Sequence, residues 1–121
     1  MALYEEWEDR KILRVRGARV VEVRAAPAFF LRLTGGLVLE FGGPVLHTLG
    51  PRGEGSAAPR SLGEFSDEEL AGLVGASPLS WVVFDGGDQR IVFSNSWHLT
   101  LEAEAGDSWS LELGDGSRLL E

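Results

Sequence analysis

Apolar and polar residues alternate along most of the chain, so the dominant period is two and strands are the expected element. Leu13 and Val15 fall on one face and Arg14 and Arg16 on the other. The same alternation predicts strands at 12–16, 19–24, 29–34, 37–41 and 45–48, then at 79–84, 89–94, 97–101, 108–113 and 118–120. One segment between the two groups, 66–75, reads as a helix. Ser66 and Glu69 form a capping box, in which the serine side chain accepts from the Glu69 amide and the glutamate reaches back. Asp67 and Glu68 suit the positive end of the helix dipole. Leu70 and Leu73 supply an apolar face, and Gly75 a stop.

A shift of sixty residues lays the two halves over one another without a gap. Val21 falls on Trp81, Val23 on Val83, Leu31 on Ile91, Leu33 on Phe93, Leu37 on Trp97, Leu39 on Leu99 and Phe41 on Leu101. Each half then reads as a strand, a turn and a hairpin. A two-residue loop at Gly35-Gly36 would pair Leu33 with Val38 and mix the faces. A three-residue loop, Thr34-Gly35-Gly36, pairs Leu33 with Leu37, Leu31 with Leu39 and Phe29 with Phe41, and puts Gly36 at the left-handed position of the bulge. The same register pairs Phe93 with Trp97 and Ile91 with Leu99. The expected fold is mainly β (α+β). Two similar three-stranded antiparallel units pack as a sandwich or a partly closed barrel, with one short helix between them in sequence. Residues 1–121 read as a single domain: an N-terminal segment at 1–9, a first repeat at 17–49, a mobile loop at 50–60, the helix, and a second repeat at 77–120. Leu3 and Trp7, one helical turn apart, allow a short helix in the N-terminal segment.

Length and composition narrow the picture. A chain of 121 residues buries roughly two thirds of the surface its unfolded form exposes, enough for a core without staples. It has no cysteine, which excludes disulfides and thiolate catalysis and fits a reducing cytoplasm. The acidic start lacks the basic and then apolar pattern of a signal peptide. No apolar run approaches the roughly 18 residues of a membrane span. Residues 1–60 carry nine positive and seven negative side chains, net +2, and residues 61–121 carry two and twelve, net −10, which together make the overall −8. That balance disfavours nucleic acid and favours a basic protein as partner.

The candidate chemistry is thin. His47 and His98 could hold a metal only with a carboxylate to help, and no spacing selects one. Asp85-Gly86-Gly87-Asp88 supplies two carboxylates where calcium needs six or more oxygens, and a turn favours Asp and Gly for backbone reasons alone. Glu102, Glu104 and Asp107 make an acidic strand end. The glycine pairs lack the strand-to-helix context and lysine of a phosphate loop. No catalytic set, metal or cofactor is expected. Trp81 and Trp97 fall on the apolar alternation and read as core. Trp7, in its acidic segment, could anchor a partner.

Gly17-Ala18-Arg19-Val20-Val21 with Val23 opens the first half, and Gly43-Pro44 follows its hairpin. Asp107-Ser108-Trp109-Ser110-Leu111, then Gly114-Asp115-Gly116, closes the second. In this two-repeat layout and acidic-x-Trp-x-Leu ending, residues 11–120 resemble a group of small actinobacterial proteins classed as a domain of unknown function. The basic run before Gly17 and the loop at 50–60 have no counterpart in that pattern. The resemblance implies a β-rich fold and no activity. The expectation is a non-catalytic cytoplasmic binding module, of the immunity or inhibitor type. It would neutralise a basic partner through Asp85, Asp88, Glu102, Glu104 and Asp107, with Trp7 as a further contact. The rival expectations are an accessory subunit of a larger assembly, using Trp7 and a sheet edge, and a small-molecule binder with His98 at a barrel mouth.

Overall fold

The computed structural model describes residues 4–50, 58–103, 109–114 and 118–120. The first half supplies β1 (Tyr4–Glu6), β2 (Arg10–Leu13), β3 (Val20–Arg24), β4 (Phe29–Leu33), β5 (Val38–Phe41), β6 (Val45–Leu49) and β7 (Arg60–Ser61). A 3₁₀ turn at Leu62–Glu64 and helix α1 (Asp67–Ala71) follow. The second half supplies β8 (Pro78–Phe84), β9 (Gln89–Phe93), β10 (Trp97–Leu101), β11 (Trp109–Glu112) and β12 (Arg118–Leu120). All strand pairs are antiparallel. One sheet runs β1-β2-β8-β9-β10-β6-β7 and the other β12-β11-β5-β4-β3, and they form an open sandwich rather than a closed barrel.

The two expected three-stranded units are present as β3-β4-β5 in one sheet and β8-β9-β10 in the other. The hairpin register is the one the alternation predicts: Phe29 stands opposite Phe41, Leu31 opposite Leu39 and Ile91 opposite Leu99. The Leu33 amide closes the first hairpin on the Leu37 carbonyl at 2.9 Å. Gly36 holds φ +92°, and Ser96 holds the equivalent left-handed place at φ 72°.

The units do not stay separate. After β5 the chain crosses through Gly42-Gly43-Pro44, and β6 pairs with β10 in the other sheet. After β10 it crosses back, and β11 pairs with β5. Leu101 faces Val45 as Phe41 faces Trp109, so the two fourth strands are equivalent and exchanged. The exchange places Leu31, Leu39, Trp81, Ile91, Leu99 and Leu111, each fully buried, in one core between the sheets. Each such side chain contributes about 1.5–3 kcal/mol by leaving water.

Four local expectations need correction. The N-terminal segment is not helical: Tyr4 pairs with Leu13 and Glu6 with Lys11, because the open edge of β8 recruits β2, and β2 recruits β1. The first core strand is shifted to Arg10–Leu13 for the same reason. Residues 51–57 of the expected loop lie outside the described residues, but its end, Arg60, belongs to β7 and pairs with His47. The helix is shorter than 66–75. Its capping box forms as expected, with Glu69 N–H donating to Ser66 Oγ at 3.1 Å and Ser66 N–H to Glu69 Oε1 at 3.0 Å. After Ala71 the amides of Gly72, Leu73, Val74 and Ala76 bond i→i−3, while that of Gly75 donates to the Val20 carbonyl, and Leu73 turns into the core.

A candidate acidic docking end and a buried histidine

The residues singled out by charge are brought partly together. The β8–β9 turn carries Asp85 and Asp88, and the β1–β2 turn carries Trp7, Glu8 and Asp9. Asp85 N–H donates to the Asp9 carbonyl at 2.8 Å and ties the two turns side by side. Asp88 Oδ1 accepts from the Ala103 amide at 2.8 Å, which brings the end of β10, with Glu102, against the same turn. Trp7, Asp85, Asp88 and Glu102 therefore share one end of the seven-stranded sheet. Glu104 and Asp107 lie outside the described residues.

Within that end the carboxylates differ. Asp9 is paired with Arg10 at 2.9 Å, and the guanidinium holds its carboxyl below the usual carboxylate range. Asp88, also exposed, holds the Ala103 amide as a staple. Glu8, Asp85 and Glu102 are exposed and enter no ion pair among the described residues. Trp7 is 60% exposed. An uncovered indole beside unpaired carboxylates is unlike the apolar interior and unlike an ordinary solvated turn.

The two histidines do not form a pair. His98 stands opposite Thr48 on the outer face, half-buried, whereas His47 is one position along β6 and points inward. Among the described residues no three metal-ligating side chains lie together.

His47 is the residue whose setting the sequence did not show. It occupies the place in its half that Leu111 occupies in the other, opposite Leu99 as Leu111 is opposite Leu39. It is 7% exposed, and its ring packs edge-on against Trp97 at 4.5 Å and Phe65 at 5.0 Å. Nε2 has no hydrogen-bond partner. Burial pushes its pKa below the usual value, and the nearby Arg60 charge adds to this, opposed by Glu69. Arg60 itself lies over the Phe65 ring at 4.2 Å and bonds Glu69 at 3.1 Å. Trp97 is only half-buried and packs both in this cluster and against the main core. The sixty-residue shift lays His47 on Asp107, so the repeat did not show the anomaly; only the strand pairing matches His47 to Leu111.

Two further buried donors lack acceptors, Gln89 Nε2 and Trp109 Nε1. Gln89 is held by its other atom, which accepts from Trp81 Nε1 at 2.8 Å. Among the described residues no helix is long and apolar enough to cross a membrane. In comparisons with known proteins, the chain matches no family model, no curated protein and no solved structure.

Proposed function

We propose that this protein is a binding module that docks a basic partner protein through the acidic, tryptophan-bearing end of its seven-stranded sheet. An inhibitor or immunity protein of the bacterial cytoplasm is the concrete form. The observation that supports it is the joining of the two turns by the Asp85–Asp9 hydrogen bond, which puts exposed Trp7 and Glu8 on the turn next to that of Asp85, with Glu102 further along the same end of the sheet. Trp is enriched at the centres of protein interfaces. Unpaired carboxylates around it speed association with a cationic surface and make it salt-dependent. Asp88 acts indirectly, by holding the turn. The ligand class is protein rather than nucleic acid, whose phosphates the net −8 repels.

The test is affinity capture from lysate of the source organism, at low and high salt, with wild type beside an Asp85→Lys/Glu102→Lys variant. One stoichiometric basic protein that is lost at high salt and lost from the variant is the expected result. The same proteins captured by both would overturn the proposal. A salt-resistant set that depends on Trp7 alone would point to the accessory-subunit reading.

A further inference from the structure

Strand β3 is the open edge of the five-stranded sheet, and its hydrogen-bond phase follows from its neighbours. Leu33 bonds Leu37 and Leu31 stands opposite Leu39, so the odd residues of β4 turn their backbone groups to β5. By the alternation of an antiparallel ladder, Phe30 and Arg32 turn theirs to β3, where they meet Arg24 and Glu22. Val23 therefore presents its N–H and C=O outward. Val20 also points outward, but it is satisfied: its amide donates to the Ala76 carbonyl at 2.9 Å, and its carbonyl accepts from the Gly75 amide at 2.8 Å. Beyond Val20, no backbone group among the described residues pairs with the outer edge of β3. Bulges commonly blunt such edges. Here the irregularity lies between Val20 and Glu22, at the covered end, and the stretch after it is regular.

A groove of about 570 Å³ runs along this open edge, between β3 and the helical segment. Its apolar walls are Val21, Val23, Phe65, Leu70, Ala71 and Val74. Val21 and Val74 are 38% and 50% exposed. The volume falls in the range of about 300–1,000 Å³ usual for binding sites. The helix side of the groove is acidic. Asp67 lines it, Glu64 and Glu68 stand exposed on the same segment, and none of the three enters an ion pair among the described residues. The cations on the strand side, Arg24 and Arg32, are both held by Glu22, at 3.2 and 3.3 Å.

We propose that this groove takes an extended segment of a partner protein as a sixth strand beside β3, with apolar residues at alternate positions and Lys or Arg between them. Main-chain bonds to Val23 would supply affinity, and the apolar walls and carboxylates would select the side chains. The surface belongs to the β3 edge of one sheet, whereas the Trp7 end belongs to the other sheet, so the two assignments stand or fall separately.

The probe is a capped peptide alternating lysine and valine, added to the full-length ¹⁵N-labelled protein while amide hydrogen exchange is followed. The Val23 amide should exchange roughly tenfold more slowly when free peptide reaches ten times its Kd. Of two copies N-methylated at alternate residues in opposite phases, the one whose methyl groups face β3 should give less protection, and so should a copy with glutamate for lysine. An Asp67→Lys/Glu68→Lys variant should lose the protection, and an Asp85→Lys/Glu102→Lys variant should keep it. Unchanged exchange at millimolar peptide overturns the proposal, as does equal protection by the N-methylated copies. Protection that rises with protein concentration in the absence of peptide would assign the edge to a second copy of the chain, and would overturn it too.

Discussion

Replacing Gly87 with alanine should destabilise the fold far more than the same change one residue earlier. Both glycines sit in the β8–β9 turn with positive φ, +92° at Gly86 and +100° at Gly87. A side chain in that region costs about 1–3 kcal/mol at either position. At Gly86 a Cβ would meet nothing within 4 Å, so the cost ends there. At Gly87 it would stand 2.7 Å from Trp109 Nε1 and 3.0 Å from Ala103 Cβ, well inside contact distance for carbon, about 3.5–4.0 Å. Neither neighbour yields easily. The Trp109 ring is buried on β11, and Ala103 is held by Asp88. Overpacking of this kind adds about 1–3 kcal/mol, for a total of roughly 2–6 kcal/mol at Gly87. Urea unfolding of both variants, followed by tryptophan fluorescence and by circular dichroism, measures the difference. Subtracting one variant from the other removes most of the shared backbone term. A Trp109→Phe change should recover part of the loss only in the Gly87→Ala background, as a double-mutant cycle. Equal midpoints for the two alanine variants would refute the packing argument.

Three more outcomes follow from the same geometry. His47 binds a proton less readily folded than unfolded, so stability should fall as pH drops below about 6.5 and towards its lowered folded pKa. A His47→Leu variant should remove that part of the pH dependence and gain about 1 kcal/mol at neutral pH, since the unpartnered Nε2 goes with it; a thermal melt series from pH 5 to 8 reads both. Asp88→Ala should cost about 1.5–3 kcal/mol by freeing the Ala103 amide, while Asp85→Ala should leave the unfolding midpoint unchanged; a loss at Asp85 would mean that its carboxylate has a partner within the fold. Ser66→Ala should cost about 1 kcal/mol, seen in urea unfolding, because it removes half of the capping box.

Alternation by itself determined the two core hairpins, because a period of two with one buried face admits a single register at each. Leu31 opposite Leu39 and Ile91 opposite Leu99 could be written down from the chain, as could the Ser66–Glu69 cap, since both are local. The open sandwich over a barrel, and the exchange of β6 and β11, could not. A strand's pattern says that one face is buried but not which sheet will bury it. The choice is made by non-local pairing, here Val45 with Leu101 and Trp109 with Phe41. The N-terminal strand was hidden for the same reason: Tyr4–Glu6 has no apolar face to announce it and pairs only because β2 offers an edge. Net charge pointed to an acidic surface. It could not say that Asp88 holds the Ala103 amide while Asp85 and Glu102, equally exposed, enter no ion pair among the described residues, because both roles use the same carboxylate and only its neighbours tell them apart. His47 is the extreme case. The sequence offered it only as a possible metal ligand, and the packing of Phe65 and Trp97 around it decided that an ionisable ring would be buried there, with its pKa lowered.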